Sequence, residues 1–259
     1  MEQNELLDIV TTRLPAHCHQ ELDFDLDKYG RLGCWFYKCF ITTSFEPIAK
    51  ADGSGLVGVS ARLDIRLLNG IGIPYKSFVS MLRSEVAQIK LDYIGRLLHT
   101  INHVMSEYAH LPLHLPVIPS QETLLKRRHE ADFLGLIKSL NMPLDQYVIE
   151  IPILSNTQQR LASIATRRYK KQGLQVAVMI KHRFRADDAG WGNVKPDIVK
   201  YRLSFMERKP EWVNVLNEWA NRYLIPVYLR VNNLPVGFPF VDTRIDAIQT
   251  PDHLAGQML

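Results

Sequence analysis

Two adjacent carboxylates and a lysine are the first candidates for chemistry, in the segment RFRADDAGWGNVKPDIVKYRLSF, residues 183–205. Asp187 and Asp188 stand before a glycine-containing turn, and Lys200 lies in a short apolar stretch that is typical of a strand. Adjacent carboxylates at the end of a strand commonly hold a divalent metal ion, because hard cations prefer oxygen ligands. The aspartate pair is therefore a candidate metal site, if the surrounding elements bring it to the mouth of a fold.

A pair of histidines on a predicted helix is a second candidate for metal binding. His99 and His103 are four residues apart, with Glu107 one turn further on, so the three share one helix face. The HExxH pattern of zinc enzymes is absent, and no further ligand stands out. Histidines on the helix surface or in a hydrogen-bonded core are the favoured interpretation.

The cysteines give little support for a metal cluster. Cys18, Cys34 and Cys39 are too few and too odd in number for a disulfide framework, which indicates a reducing compartment. His17 and His19 flank the first cysteine, but neighbours in an extended segment point to opposite sides. We expect no metal and no cofactor there.

The composition is that of an ordinary globular chain, with 259 residues, 46% hydrophobic and 22% charged. No apolar run approaches the about 20 residues that a membrane-spanning helix needs, and the N-terminus has no secretory pattern. The net charge is +4, and the basic clusters at 125–130, 166–171 and 181–185 lack interleaved aromatic residues. We interpret the clusters as solvated faces and expect neither a membrane nor a nucleic acid as partner.

Hydrophobic periodicity predicts a hairpin, then two helices, then alternating strands and helices. The hairpin strands are CWFYKCFITTSFEPI and LVGVSARLDIRLL, joined by the turn KADGSG. Helical spacing between Ile73 and Ala109 predicts two consecutive helices. The alternation that follows implies βα units and a parallel sheet, in a barrel or a doubly wound arrangement. The doubly wound nucleotide-binding alternative is weakened because no glycine-rich phosphate fingerprint is present.

Four segments, in this order, resemble the motifs of bacterial EAL domains. Residues 45–63 (FEPIAKADGSGLVGVSARL) are similar to the opening motif, an aromatic-Gln-Pro-Ile, a turn and Val-Gly-Val-Glu-Ala-Leu. Residues 111–124, 144–153 and 196–205 are similar to its Val-Asn-Leu-Ser-Pro, Leu-Glu-Ile-Thr-Glu and Asp-Ile-Leu-Lys-Ile-Asp segments. The resemblance covers residues 40–250 and implies an α/β, TIM-barrel-like fold with one antiparallel strand near the start.

Active members of this family hydrolyse the second messenger cyclic di-GMP with two divalent metal ions. This chemistry needs several oxygen ligands, which activate water and neutralise developing charge. The resemblance implies that the ligands come from the Glu of EAL, an Asn, a later Glu, an Asp pair and a further Glu. A Lys helps to orient the attacking water.

Most of these ligands are replaced in this chain. The EAL tripeptide falls on residues 60–62, so Ser60 stands for the first Glu, and Pro116 stands for the Asn. Arg230 and Asn233 fall on the final glutamates, and a guanidinium repels a metal pair. The resemblance therefore implies that these positions are substituted.

Two functional positions are retained, the later-strand Glu150 and the Lys200. We expect them to form a buried, vestigial ion pair in the barrel mouth. One carboxylate cannot hold two divalent ions, so we expect no phosphodiesterase activity.

Counting places the metal positions away from the aspartate pair. Gly173 and Lys200 are 27 residues apart (200 less 173), which matches the family's span without a gap. In that register the family's Asp pair falls on Met179 and Ile180. The pair at 187–188 would need an insertion of 8 residues (187 less 179) and an equal deletion after it. We interpret it as part of a loop, and an active hydrolase requires that this loop fold back into the mouth.

The alternative to an inactive protein that contacts another protein is a non-hydrolytic receptor for cyclic di-GMP or a related nucleotide. Glu46 and Asp64 stand where the resemblance implies ligand contacts, and they place negative charge there. Arg62, Arg66 and Arg230 are the residues that could restore binding in a rearranged mode.

We therefore predict a regulatory protein of bacterial signalling, located in the cytoplasm. Residues 1–35 are expected to form a helix-and-loop extension and residues 36–259 a single degenerate EAL-like barrel. The expected partner is another protein, and the sequence leaves open whether the chain forms a homodimer. Trp212, Trp219 and Tyr223, at helical spacing, either pack an outer helix on the barrel or form an exposed patch for that partner.

Overall fold

A computed structural model describes residues 22–118, 128–140, 142–181, 195–208, 210–232 and 244–251 of the chain. Within these residues the chain forms ten β-strands and six α-helices. In chain order they are β1 (Asp23–Leu26), β2 (Leu32–Phe36), β3 (Cys39–Lys50), β4 (Leu56–Leu67), α1 (Tyr75–Met81), α2 (Glu85–Val104), β5 (Leu113–Pro116), α3 (Arg128–Ser139), β6 (Tyr147–Ile153), α4 (Asn156–Lys171), β7 (Gln175–Ile180), β8 (Ile198–Arg202), α5 (Leu203–Arg208), α6 (Pro210–Arg222), β9 (Val227–Arg230) and β10 (Ala247–Gln249).

Eight of the strands form a closed barrel. The strands from β4 to β10 pair in chain order and run parallel to one another. β3 closes the ring, because it pairs with both β10 and β4, and its pairing with β10 is antiparallel. The predicted α/β, TIM-barrel-like fold with one antiparallel strand near the start is confirmed.

The parallel strands are apolar because both of their faces are buried. All seven residues of β6 (YVIEIPI) are buried, including the charged Glu150. The helix that follows is capped by Ser155, whose hydroxyl accepts a hydrogen bond from the Gln158 N–H. Gly173 ends the connection to β7 with a φ of +87°, which glycine adopts readily. Local sequence thus sets the strand–helix–strand unit that carries Glu150.

The chain divides into two compact units. The barrel unit comprises the described residues of 45–60, 111–125 and 144–259, and it contains the closed ring of strands. The hairpin–helix unit comprises those of 1–44, 61–110 and 126–143, with β1, β2 and helices α1 to α3.

Residues 22–36 form a hairpin rather than the predicted helix-and-loop extension, and residues 1–21 lie outside the described residues. β1 pairs antiparallel with β2, and β2 pairs antiparallel with β3. The Asp27 carboxylate accepts hydrogen bonds from the N–H groups of Tyr29 and Arg31, and Gly30 has a φ of +75°. The turn residues Asp27 and Gly30 are typical of a hairpin, but the four residues of β1 are too few for their alternation to reveal a strand.

Buried polar side chains join β2, β3 and α2 within the hairpin–helix unit. The Asn102 amide bonds the Leu32 backbone twice, accepting from its N–H at 2.8 Å and donating to its carbonyl at 2.8 Å. His99 Nδ1 lies 2.9 Å from Thr43 Oγ1. Burial, with a smaller contribution from the charge of Arg62, lowers the pKa of His99 to about 3. His99 is therefore a neutral core histidine, as the sequence favoured.

Among the described helices, none combines the length and the apolar character that crossing a membrane requires.

Candidate functional site

The strands of the barrel unit bring Glu150 and Lys200 together, although they are fifty residues apart in the sequence. Glu150 lies in β6 and Lys200 in β8, with side chains 3% and 1% exposed. The Lys200 Nζ donates a hydrogen bond to Glu150 Oε1, so the predicted buried ion pair is confirmed.

Each half of this ion pair has further polar partners. The Ser60 hydroxyl donates to Glu150 Oε1 at 3.0 Å, and His114 Nδ1 lies 3.5 Å from the same oxygen. The Lys200 Nζ also donates to Gln249 Oε1 at 3.0 Å. Buried charges are tolerated when they are both paired and hydrogen-bonded, and this pair meets both conditions.

A second ion pair lies beside the first. Arg230 Nη2 donates to Glu46 Oε1 at 2.6 Å and its Nε donates to Glu46 Oε2 at 3.1 Å, which is the two-point geometry that guanidinium and carboxylate favour. The Gln249 side-chain amide donates to Glu46 Oε2. Gln249 thus links the two ion pairs, because its carbonyl oxygen accepts from Lys200 and its nitrogen donates to Glu46. The result is one network with two acids and two bases.

Aromatic and backbone groups fill the space around the network. The Tyr228 ring centroid is 5.7 Å from the Lys200 Nζ and 6.0 Å from the centroid of the His114 ring. Burial, reinforced by the charge of Asp246, raises the pKa of Tyr228, so its phenol stays neutral. Gly58 lets β4 approach β5 closely, because an added Cβ would lie 3.2 Å from the His114 ring and 3.1 Å from the Pro112 carbonyl oxygen.

The positions that the resemblance assigns to metal ligands lie on the strands next to the ion pair. Pro116 is the register partner of Glu150, and Met179 is the register partner of Lys200. Ile180 follows Met179 and is completely buried, on the opposite face of the strand. Asn233, like the aspartate pair at 187–188, lies outside the described residues, so its placement stays a prediction.

The three arginines considered for ligand binding have different surroundings. Arg230 is in the barrel unit and is neutralised by Glu46. Arg62 and Arg66 belong to the hairpin–helix unit. Arg62 donates to the Ala61 carbonyl, and Arg66 pairs with Asp64 at 3.0 Å with 49% of its side chain exposed.

The donor set does not match what a pair of divalent ions requires. Ser60, Pro116, Met179 and Arg230 supply one hydroxyl, two apolar side chains and one cation at the positions that the resemblance assigns to ligands. Glu150 offers a carboxylate, but its Oε1 already accepts from an ammonium and a hydroxyl. Among the described residues, no three His, Cys, Asp or Glu side chains are grouped so that they could hold a metal ion.

Sequence reasoning missed His114, Tyr228 and Gln249. Side chains on a barrel strand point alternately inward and outward, so a polar residue at an inward position is a signal for a site. This signal could have found His114 and Tyr228. Gln249 lies in a strand of only three residues, which periodicity does not detect.

The remaining candidates from the sequence are the cysteines with their flanking histidines and the aromatic residues of α6. Cys34 and Cys39 are buried free thiols in the hairpin–helix unit, and burial raises the pKa of Cys34 to about 12. His17, Cys18 and His19 lie outside the described residues. On α6, Trp219 is buried and its ring meets that of Tyr223, which is 39% exposed and lies under the Lys195 ammonium. Packing therefore accounts for Trp219.

Solved structures share this arrangement of the backbone, while neither a family model nor a curated protein matches the sequence. The Bacillus subtilis YkuI protein, with an EAL domain and in complex with the substrate c-di-GMP and calcium, has a TM-score of 0.64 at 14% identity, over 83% of this chain and 55% of its own. The FimX EAL domain of Pseudomonas aeruginosa, bound to c-di-GMP, has a TM-score of 0.63 at 13% identity, over 81% of this chain and 88% of its own.

A standalone EAL protein from Vibrio cholerae, in its c-di-GMP-bound form, has a TM-score of 0.62 at 15% identity, over 81% of this chain and 89% of its own. At such identities the likeness is one of fold. The chain has the barrel fold of EAL domains, as the order of its sequence motifs predicted.

Proposed function

We propose that this chain is an EAL-type regulatory protein that does not hydrolyse cyclic di-GMP and acts by contact with another protein. The observation that carries the proposal is that Ser60, Pro116, Met179 and Arg230 bring no carboxylate to Glu150, whose Oε1 accepts from the Lys200 ammonium. A divalent ion would have to displace this ammonium from a buried oxygen, and the separated lysine would then be a buried, unpaired charge. Breaking a buried pair in this way is strongly unfavourable.

The chemistry of the neighbouring positions supports the same conclusion. Two-metal hydrolysis requires oxygen ligands on both ions and a water that the metals activate. Pro116 and Met179 have no oxygen to offer, and the Ser60 hydroxyl is a weak neutral substitute for a carboxylate. The Arg230 guanidinium adds a positive charge where the resemblance places a glutamate. Ser60 and Arg230 are members of the polar network, and Pro116 and Met179 add no metal ligand to it.

A non-hydrolytic receptor for cyclic di-GMP is the second candidate. It is supported by the comparison structures of EAL proteins that hold this nucleotide. Against it, Arg230 is engaged at two points by Glu46, and Lys200 is engaged by Glu150. A ligand with two phosphates would find no surplus positive charge in these four groups. We therefore rank contact with a protein above nucleotide binding.

Calorimetry and product analysis test the proposal together. The purified chain is titrated with cyclic di-GMP in EDTA, in Mg²⁺ and in Mn²⁺, and the same mixtures are incubated and separated for the linear dinucleotide. We expect no turnover and no heat of binding at low micromolar nucleotide. Binding at low micromolar affinity would favour the receptor, and metal-dependent turnover would restore the hydrolase and contradict the proposal.

The proposed contact with another protein needs its own experiment. Chemical cross-linking in cells that produce the chain identifies neighbours, and each neighbour is then purified and mixed with the chain. We expect a complex of defined stoichiometry that forms equally well in EDTA and without nucleotide. A complex that requires cyclic di-GMP would show that the nucleotide is part of the function.

A further inference from the structure

We infer that the outward face of helix α4 is a docking surface for an acidic segment of a partner protein with an apolar residue at its centre. The inference rests on the protein contact proposed above and names its chemical class. The surface, which we call the α4 stripe, consists of Arg160, Ile164, Arg167 and Lys171. Spacings of four, three and four residues place the stripe on one line along the helix, about 16 Å long.

The α4 stripe is open to solvent. All four of its residues are exposed, and Ile164 exposes 47% of its surface. The opposite face of the helix is buried, with Ala162, Ala165 and Tyr169 in the core of the barrel unit. The helix is therefore held by one face, and the stripe is the face that packing leaves unused.

The charges of the stripe are not satisfied within the part of the chain that the structure describes. The neighbouring Lys170 pairs with Asp197 at 2.6 Å and donates to the Lys195 carbonyl, so it is a structural cation. The described residues supply no comparable ion-pair partner for Arg160, Arg167 or Lys171. Three aligned cations without counter-charges attract an anionic partner.

Charge is strongly segregated into this helix. Asn156–Lys171 has five basic residues and no acidic residue, a formal charge of +5. The whole chain carries +4, so the other 243 residues together carry −1 (+4 less +5). Helix α4 therefore carries more net positive charge than the whole chain, because acidic residues balance the basic ones elsewhere.

The apolar residue at the centre favours a protein over a nucleic acid or a membrane. Ile164 sits between two arginines, where a partner helix can place an apolar side chain between acidic ones. Single-stranded nucleic acids use exposed aromatic rings for stacking, and the aromatic residue of α4, Tyr169, is buried. A helix that inserts into a membrane surface needs a broad apolar face, and the stripe has one isoleucine.

The test uses fluorescence anisotropy with the full chain and four probes. The first probe is a labelled helical peptide with three glutamates and a central leucine at the spacings of the stripe. The second is a peptide of equal composition with the glutamates and the leucine on different faces. The third is a single-stranded oligothymidine of twenty nucleotides, and the fourth is a vesicle of phosphatidylcholine and phosphatidylglycerol.

The matched peptide should bind at least tenfold more tightly than the permuted one, a difference of about 1.4 kcal/mol. The charge-reversed variant R160E/R167E/K171E should lose at least tenfold in affinity for the matched peptide, and Ile164→Gln about threefold. The control K38E/K76E/R83E makes the same change in net charge at three exposed positions of the other unit, and it should stay within twofold of the wild type.

Equal binding of the two peptides would overturn the inference, because it would show charge attraction without a shaped surface. Tighter binding of the oligonucleotide or the vesicle would also overturn it, in favour of those partners. An equal loss in the control variant would locate the effect elsewhere. If the matched peptide fails while calorimetry shows no cyclic di-GMP binding, the stripe is rejected and the proposed function stands. If the matched peptide binds while cyclic di-GMP is hydrolysed, the stripe is supported and the proposed function is rejected.

Discussion

Lys200 and Glu150 form an ion pair in which neither side chain is more than 3% exposed. The ammonium also donates to Gln249, and the carboxylate also accepts from Ser60. Such a pair behaves as a unit, because loss of either partner leaves the other as a buried charge without a counter-charge. The two side chains therefore belong to one buried polar network with Ser60 and Gln249.

Removing the lysine alone should destabilise the protein strongly. We expect Lys200→Met to lower the free energy of unfolding by about 3–5 kcal/mol, since Glu150 is left buried and unpaired. The double variant E150L/K200M should recover most of this loss. Urea denaturation measures the free energy of unfolding of the wild type, Lys200→Met and E150L/K200M. The control is Lys170→Met, which breaks the partly exposed Lys170–Asp197 pair and should cost less than about 1 kcal/mol. Similar losses in both single variants would contradict the special role of the buried pair.

Glu46→Gln should free Arg230 to contact an anion. The guanidinium loses a two-point carboxylate partner, so we expect affinity for cyclic di-GMP to rise by about tenfold, or about 1.4 kcal/mol. Calorimetry with the nucleotide checks this. Asp64→Asn is the control, because it releases Arg66 from a pair that water partly screens, the Arg66 side chain being 49% exposed. No gain in either variant would show that Glu46 is not what opposes the ligand.

Two glycines should respond to alanine with opposite signs. At Gly58 the new Cβ meets the His114 ring and the Pro112 carbonyl, so Gly58→Ala should lower the free energy of unfolding by about 1–3 kcal/mol. At Gly135, in helix α3, no atom lies within 4 Å of an added Cβ. Gly135→Ala should therefore raise stability by about 0.5–1 kcal/mol, as alanine does in a helix. Thermal or urea unfolding decides, and a neutral result at Gly58 would argue against the tight β4–β5 contact.

The buried His99 should make stability depend on pH in the acid range. Its folded-state pKa of about 3 lies below the unfolded value of about 6.5, so the unfolded chain binds the proton first. The contribution is complete above pH 6.5 and is lost as pH falls toward 3, with a slope of up to about 1.4 kcal/mol per pH unit.

Urea unfolding at pH 7, 5.5 and 4.5 measures this slope. His99→Gln should flatten the curve relative to the wild type. Thr43→Val removes the hydrogen-bond partner of His99 without removing the titrating group, so it should lower stability while the slope remains. Parallel curves for the wild type and His99→Gln would show that another group is responsible.

Much of the fold could be predicted from local patterns. The run YVIEIPI, the amphipathic pattern of α4 and the segment around Lys200 each specify their element within a few residues, because periodicity and caps act over short distances. The hairpin at 23–36 and the strand Ala247–Gln249 were missed, since strands of three to five residues are too short to show a period.

The motifs and their order were enough to predict the barrel, the pairing of Glu150 with Lys200 and the basic cluster at 166–171. These features depend on residue type and spacing, and both can be read from the chain. The bonding of Arg230 to Glu46, 184 residues away, and the link that Gln249 makes between the two ion pairs emerge from the folded chain alone. The physical reason is closure of the barrel, which makes neighbours of β3, β8, β9 and β10 and so selects the partner of each buried charge.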